Sequence, residues 1–319
     1  MRAVQITSLD GPAALEVVTV DEPTVGPENV VIDVRVAGVT FPEVLQSRGQ
    51  YQVKPPLPFV PGSEVAGVVR SGPGFAPGQR VAAFPGLGGF AEVVAASPAN
   101  VFPLPDAVSF EAGASLPMNY LTVHFGLVRR GQLRQGDTVL VHGAAGGIGT
   151  AAVQLASALG ARVIAVVSTT DKIETAKAAG ADEVILADGF KDAAKELTGG
   201  RGVDIVVDPV GGDRFTDSLR SLAREGRLLV IGFTGGEIPQ VKVNRLLLNN
   251  ISVVGVGWGA FWTAEPTYLQ EQWADLSPLL EAGKLEPVIG RSFPLEQASQ
   301  ALLELDERRA TGKVLLTVR

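Results

Sequence analysis

A glycine-rich run at 143–149, Gly-Ala-Ala-Gly-Gly-Ile-Gly, has the residue types and spacing that could bind a phosphate group. The run follows an apolar segment at 138–142 and opens a helical pattern at 148–159. A Cβ atom in this turn would keep a diphosphate from the main chain, and a helix start offers unpaired N–H groups with a partial positive charge. The last glycine, Gly149, would let the helix pack closely on a sheet. The predicted diphosphate-binding residues are Gly146, Gly147, Ile148 and Gly149. The alternative is a tight turn without a ligand.

A second candidate site follows the next apolar segment. Folds that prefer NAD place an acidic residue about 20 positions after the glycines, where its charge would repel a 2′-phosphate. This chain has Ser168 at that place and Lys172 one short loop away. A hydroxyl and an ammonium group together favour NADPH. Two alternatives remain open: Asp171 could face the ribose or cap the next helix, and Lys172 could be an ordinary solvated residue.

The elements that would position these residues form an alternating pattern of short apolar segments and helical segments. Apolar segments that are covered on both faces are typical of parallel strands between helices. We therefore predict an α/β fold with a doubly wound parallel six-stranded sheet of the Rossmann type over residues 121–262. The predicted strands are 138–142, 162–167, 183–186, 203–208, 227–232 and 251–256.

The two flanking regions have a different composition. Residues 1–120 contain short β-rich runs broken by Gly and Pro, such as the alternating segment at 30–36, which predicts a β-rich domain. Residues 263–319 contain a helical stretch at 267–282 and a last strand at 313–318. About 57 residues are few for an independent core, so we expect this segment to return to the first domain.

Composition excludes several functions. The 319 residues are 46% apolar, with 27 Lys and Arg against 34 Asp and Glu, an acidic balance that disfavours nucleic acid as the principal partner. The absence of cysteine rules out disulfides, thiol nucleophiles and Cys-ligated metals, and only His124 and His142 could serve as histidine ligands. We expect no metal. No apolar segment is typical of a signal peptide or a membrane span, so we expect a cytoplasmic protein without a membrane partner.

Beyond the glycine run, the chain resembles the zinc-free medium-chain dehydrogenases/reductases of the zeta-crystallin-like NADPH:quinone oxidoreductase family. The segments that carry the resemblance are PFVPGSEVAGVV at 58–69, LPMNYLTVHFGL at 116–127, VDIVVDPVGG at 203–212, NRLLLNNISVVGVGWG at 244–259 and ATGKVLL at 310–316. The resemblance implies a GroES-like β-rich catalytic domain interrupted by the Rossmann domain. It also implies NADPH as cofactor.

Departures from the related zinc enzymes are informative. Their G-H-E-x-x-G signature appears here with Ser63 in place of the ligand histidine, and the segment that carries their catalytic cysteine reads Gly-Val-Thr-Phe-Pro at 38–42. No Lewis acid would then polarise an oxygen atom, which disfavours alcohol dehydrogenation. Within the zinc-free branch, Thr40 replaces a frequent active-site Asn, and Ala187 replaces a Tyr that commonly contacts the adenosine.

Hydride transfer from a reduced nicotinamide to a quinone needs little from side chains, because conjugation already activates the acceptor. We expect the substrate in a cleft between the domains. The candidate catalytic residues are Thr40, Tyr51 and Thr122, and the candidate substrate contacts are Phe41, Arg48 and Asn119. The resemblance places Phe233, Thr234, Trp258 and Lys313 on the cofactor. Tyr51 could donate to a carbonyl oxygen or pack on the ring. Arg48 could equally be a surface ion partner, Lys313 could form a structural ion pair, and Asp208 could cap a turn.

The sequence leaves three functions open. Reduction of quinones is the first, reduction of enones or enoyl thioesters is the second, and a structural protein that binds NADPH without turnover is the third. Basic residues at the cleft mouth would favour thioesters, and the ones to inspect are Arg48, Lys54, Arg129 and Arg130. The apolar strand at 251–256 would be a sheet edge, and we therefore predict a homodimer formed by strand addition.

Overall fold

A computed structural model describes residues 1–319, which form fifteen β-strands and eleven α-helices. The strands are β1 (Arg2–Ile6), β2 (Leu15–Thr19), β3 (Val30–Val39), β4 (Glu64–Ser71), β5 (Arg80–Ala83), β6 (Val93–Ala96), β7 (Val101–Pro103), β8 (Thr138–His142), β9 (Arg162–Val167), β10 (Glu183–Leu186), β11 (Val203–Asp208), β12 (Leu222–Val230), β13 (Ser252–Gly255), β14 (Ile289–Pro294) and β15 (Lys313–Thr317). The helices are α1 (Phe41–Gln46), α2 (Phe110–Gly113), α3 (Pro117–His124), α4 (Gly147–Ala158), α5 (Ile173–Ala178), α6 (Phe190–Leu197), α7 (Phe215–Ser221), α8 (Asn244–Asn249), α9 (Trp258–Trp262), α10 (Tyr268–Glu281) and α11 (Ala298–Asp306). None of these helices is both long and apolar enough to cross a membrane.

The chain divides into two compact units. The first comprises Met1–Asn119, Pro266–Glu281 and Ile289–Arg319, and the second comprises Tyr120–Glu265 and Ala282–Val288. The returning segment is therefore shared, because residues 282–288, which we expected in the first domain, belong to the second unit. There Gln154 on α4 donates to the carbonyl of Glu286 at 2.5 Å and accepts from its N–H at 3.1 Å.

The second unit contains a parallel six-stranded sheet in the order β10-β9-β8-β11-β12-β13, as the sequence predicted. Every residue of β8 is buried, and so are five of the six residues of β9, which agrees with helices on both faces. The strand order reverses between β8 and β11. Ligands of open α/β sheets bind at the carboxyl ends of the strands at such a reversal, and the glycine run follows β8 there.

The first unit is β-rich. Its main sheet has the order β14-β15-β3-β4-β5-β7, with β6 paired to β3, and its neighbouring strands are antiparallel except for β14 and β15. Strand β3 alternates buried and half-buried residues along its first half, so that one face enters an apolar core that includes Ile32 and Phe90. This core also receives Leu302 from α11 and Leu316 from β15. The returning segment thus completes the first unit.

Candidate active site

The glycine turn between β8 and α4 is built as a phosphate-binding turn would be. Gly143 adopts a positive φ of 58°, and Gly146 precedes the helix in an extended conformation without a side-chain cap. The N–H groups of Gly147, Ile148 and Gly149 belong to the first helical turn, where the helix supplies no acceptors. A Cβ atom on Gly149 would collide with the carbonyl oxygen of Gly143 and lie 2.6 Å from the Cα of Ala144. Gly149 is therefore required for close packing, and the free donors suit an anion.

The end of β9 carries the second predicted contact. Ser168 is exposed directly after the strand, and Lys172 is half-buried at the end of a short 3-10 helix over Thr170–Lys172. Asp171 does not cap α5, because Lys172 is the capping residue and no side chain accepts a bond there. A hydrogen bond from Thr169 lowers the pKa of the exposed Asp171 carboxyl. The short segment after β9 therefore contains several hydroxyl groups and one ammonium group that are close together in the sequence.

Hydrogen bonds connect the loop after β11 to the loop after β12. The side chain of Asp208 accepts hydrogen bonds from the N–H groups of Val210 and Gly211, both at 2.9 Å, so it caps the turn, and burial raises its pKa. Thr234 donates from its N–H and its hydroxyl to the carbonyl of Pro209, both at 3.1 Å. The Phe233 side chain remains 37% exposed beside this turn. Trp258, in contrast, is buried at the start of α9.

His142, the last residue of β8, is a structural group. Its Nε2 lies 2.8 Å from the hydroxyl oxygen of Ser218, and its ring meets that of Phe190 edge-on at 4.7 Å. Complete burial lowers its pKa to about 3. The imidazole is therefore neutral at physiological pH and does not act as an acid there.

In the first unit, a buried carboxylate organises the residues around Thr40. Thr40 precedes α1, and both its N–H, at 2.7 Å, and its hydroxyl donate to Oε2 of Glu43. The N–H of Ser63, at 3.1 Å, and its hydroxyl, at 2.5 Å, donate to Oε1 of the same carboxylate. Glu43 is not among the residues predicted from the sequence, although the spacing Thr-x-x-Glu before a helix is the signature of a capping box.

Tyr51 is half-buried beyond α1. Burial raises the pKa of its hydroxyl, and the negative charge of Glu43 raises it further. Tyr51 therefore stays protonated at neutral pH and can donate a hydrogen bond.

Lys313 lies in a buried ion pair. Its ammonium group contacts Oε1 of Glu64, and Oε2 of Glu64 accepts from the N–H of Met118 at 2.7 Å. Both side chains of the pair are at least 96% buried. Burial raises the pKa of Glu64, and Lys313 opposes that rise. Of the two roles that the sequence left open for Lys313, the structure favours the ion pair over a cofactor contact.

Arg48 also forms an ion pair within the protein. Its two terminal nitrogens donate to the two carboxylate oxygens of Asp306 on α11, at 2.7 and 2.5 Å. Such a two-point pair neutralises the guanidinium group and fixes its plane. This arrangement favours the ion-partner role over the predicted contact with an anionic substrate.

The remaining predicted residues lie on α1 and α3. Phe41 begins α1 and packs against the apolar core of the first unit. Asn119 and Thr122 are three positions apart on α3, a spacing that brings side chains to neighbouring places on a helix, and both are buried. Their contacts with substrate or cofactor stay predictions.

Comparison with known proteins places this geometry in context. Residues 26–106 match the family model described as alcohol dehydrogenase GroES-like domain, and residues 147–281 match the model described as zinc-binding dehydrogenase. Quinone oxidoreductase-like protein 2 of Bos taurus is 37% identical, over 100% of this chain and 93% of the relative. A probable oxidoreductase from Mycobacterium abscessus shares 48% identity and a TM-score of 0.92, over 100% of this chain and 99% of the other. The quinone oxidoreductase of Thermus thermophilus, solved also with NADPH, shares 37% identity and a TM-score of 0.87, over 100% of both chains.

Proposed function

Because the chain belongs to the quinone oxidoreductase family of medium-chain dehydrogenases/reductases, we propose that it is an oxidoreductase that uses NADPH to reduce quinones. The resemblance seen in the sequence, including the GroES-like domain, is confirmed by these matches. The observation that carries the cofactor assignment is the β8–α4 turn, where the N–H groups of Gly147, Ile148 and Gly149 lack helical acceptors.

The residues of the second unit fit a nicotinamide dinucleotide that carries a 2′-phosphate. The first-turn amides would hold the diphosphate, and the Ser168 hydroxyl and the Lys172 ammonium would hold the 2′-phosphate. Thr122 and the chain near Phe233 and Thr234 would flank the nicotinamide, and Trp258 would border them. NADPH bound there supplies a hydride. The Thermus thermophilus relative, whose complex with NADPH has been solved, supports this choice of cofactor.

The residues of the first unit suit an acceptor that is already activated. A quinone takes up a hydride and a proton to become a hydroquinone, while the cofactor becomes NADP⁺. The protonated Tyr51 hydroxyl would stabilise the oxygen on which negative charge develops. We also propose that the reaction needs no zinc, because Ser63 replaces the histidine ligand of the related enzymes and its hydroxyl proton is committed to Glu43.

Reduction of enoyl thioesters is the alternative within the same chemistry. The pantetheine arm that carries an acyl thioester is attached through phosphate groups, which would need free basic residues near the site. Three of the four basic residues singled out for this role are engaged elsewhere: Arg48 with Asp306, Arg129 over the ring of Phe261 at 4.4 Å, and Arg130 with the carbonyl of Gly255 at 3.0 Å. These contacts favour quinones over thioesters.

The test is to incubate the protein with NADPH and a panel of acceptors that includes phenanthrenequinone, a simple enone and an enoyl thioester, and to follow NADPH absorbance. We expect rapid oxidation with the quinone and no loss of rate after treatment with a chelator. Inactivation by the chelator that zinc reverses would contradict the metal-free assignment. Tight NADPH binding without oxidation by any acceptor would favour the third candidate, a structural protein.

A further inference from the structure

The hydroxyl groups of Thr40 and Ser63 have a fixed orientation because of a single buried carboxylate. Glu43 is 1% exposed, and its two oxygens together receive four hydrogen bonds, two from each of these residues. All four partners are donors, so both oxygens of the Glu43 carboxyl group act as acceptors. A hydroxyl carries one proton, and the protons of Thr40 and Ser63 both point at Glu43. Neither hydroxyl is therefore available as a donor to a substrate carbonyl.

Tyr51 differs from these two residues. Its hydroxyl makes no hydrogen bond within the protein, and burial, together with the charge of Glu43, raises its pKa. Among the other polar predicted residues of the first unit, Arg48 and Lys313 are held in ion pairs, and Asn119 carries a buried amide and no hydroxyl. A carbonyl oxygen that enters this group of residues needs a donor, and Tyr51 is the protonated hydroxyl that remains.

We propose that Glu43 is a positioning residue: by accepting the hydroxyl protons of Thr40 and Ser63, it makes the Tyr51 hydroxyl the donor to the carbonyl oxygen of the quinone. This inference rests on the proposed reduction of quinones and adds the residue that selects the donor. Glu43 itself touches neither substrate nor cofactor. The simpler view is that Glu43 only caps α1 and hydrogen-bonds Ser63. In that case Glu43→Gln should lower stability without changing which side chain donates to the quinone.

A double-mutant cycle separates the two views. Tyr51→Phe is expected to lower kcat by about 10-fold or more in the parent protein, since it removes one hydrogen bond to developing charge. In Glu43→Gln, the new amide donates to one of the two hydroxyls, whose own proton then turns toward the substrate. Tyr51→Phe should therefore cost less than about 3-fold in that background, because a second donor substitutes for it. An equal loss from Tyr51→Phe in both backgrounds would overturn the proposal.

Glu304→Gln is the matched control. Glu304 is another buried carboxylate of the first unit, and its partners are Arg291 at 2.7 Å and Arg309 at 3.0 Å. In the Glu304→Gln background, Tyr51→Phe should cost as much as in the parent. A reduced loss there would mean that any buried charge removal produces the effect, and would overturn the specific role of Glu43.

Should Glu43→Gln fail to melt cooperatively or to bind NADPH, the carbonyl stretch of a quinone bound with NADP⁺ provides a second test on well-folded proteins. We expect the infrared band to be lowered in the parent and to return toward its free frequency in Tyr51→Phe. A band that stays lowered in Tyr51→Phe would show that another side chain donates and would overturn the proposal. A parent protein that never oxidises NADPH with a quinone would overturn the proposed function and this inference together, whereas an active parent with an equal Tyr51 loss refutes only the inference.

Discussion

We propose that the preference for NADPH over NADH depends on Lys172. Changing it to Glu replaces an attraction to the 2′-phosphate by a repulsion, which is worth on the order of 1 to 3 kcal/mol. We expect Lys172→Glu to weaken NADPH by about 5-fold to 150-fold and NADH much less. Binding of both dinucleotides can be measured by calorimetry.

Lys177→Glu is the control for that change. Lys177 lies on α5 and is exposed, and it pairs with Glu174 at 3.1 Å, so the same change of net charge occurs a few residues away. We expect this variant to bind both cofactors almost as the parent does. Equal losses of NADPH and NADH in Lys172→Glu would show that Lys172 does not recognise the phosphate.

At the residue scale, the sequence identified several polar residues with a specific role, but it did not identify the residues with which they pair. Arg48 was recognised as either a substrate contact or an ion partner, but its partner Asp306 lies 258 positions away and no local pattern connects them. The same holds for Lys313 and Glu64, which are 249 positions apart. Glu43 differs, because its spacing from Thr40 is a local signal that could have been used. Its bonds to Ser63 depend on the fold of the first unit.

At the scale of elements, two glycines of the turn between β8 and α4 have different roles: Gly149 is needed for packing, and Gly146 is predicted to be needed for binding the diphosphate. A Cβ atom on Gly149 would collide with the turn, whereas one on Gly146 would meet only the Gly143 carbonyl oxygen at 3.4 Å. Gly149→Ala should therefore destabilise the protein by about 1 to 3 kcal/mol through overpacking. Gly146→Ala should keep its melting temperature close to the parent's while NADPH affinity falls, because the methyl group obstructs the diphosphate. Thermal melts and calorimetry on both variants test this, and unchanged NADPH affinity in Gly146→Ala would contradict the assignment of the turn.

The Glu64–Lys313 pair joins β4 to β15 and gives a prediction about pH. Lys313→Met leaves the buried Glu64 carboxylate without its counter-ion, which should cost about 3 kcal/mol or more at neutral pH. Burial raises the pKa of Glu64 above its ordinary value of 4.5, and loss of Lys313 removes an opposing cause. The folded state then holds the proton more tightly than the unfolded state, so stability falls as pH rises from that value through the raised one.

Urea unfolding at mildly acidic and mildly alkaline pH measures this effect. Relative to the parent, Lys313→Met should be less stable at alkaline pH, and the difference should shrink on acidification. Adding Glu64→Gln should remove most of the pH dependence, because the buried charge is gone. A destabilisation that does not change with pH would show that lost packing, and not the uncompensated carboxylate, causes it.

The accuracy of the predicted strand bounds depends on whether an apolar run marks both ends of the strand. The bounds of β8, β9, β10 and β11 agree with the predicted segments, because apolar residues between polar turns mark both ends. The strand predicted at 227–232 instead begins at Leu222 and ends at Val230. The first half of β12 contains the polar residues Arg224 and Glu225, so no apolar pattern indicates that the strand begins there. Glu225 also has a positive φ of 61°, which interrupts the regular strand conformation.

At the scale of the whole molecule, the homodimer stays a prediction, and the second unit offers two features that support it. β13 is the last strand of its sheet and leaves one edge unpaired, which invites another strand. Four apolar side chains before it are strongly exposed, and we call them the apolar patch: Ile238 at 70%, Val243 at 72%, and Leu247 and Leu248 at 75% each. Strongly exposed apolar residues that lie close together in the sequence are typical of interaction sites, and we expect a second copy of the same chain to cover both features.

Leu247→Asp tests this assembly, because it puts a charge into the apolar patch. We expect light scattering at micromolar concentration to give about twice the chain mass of 33.2 kDa for the parent and a lower mass for the variant. Leu9→Asp is the control, since Leu9 is 49% exposed in the first unit and lies outside the patch. It should leave the mass unchanged. A monomeric parent would refute the dimer, and a dimer that withstands Leu247→Asp would exclude the apolar patch from the interface, because a buried aspartate without a partner costs several kcal/mol.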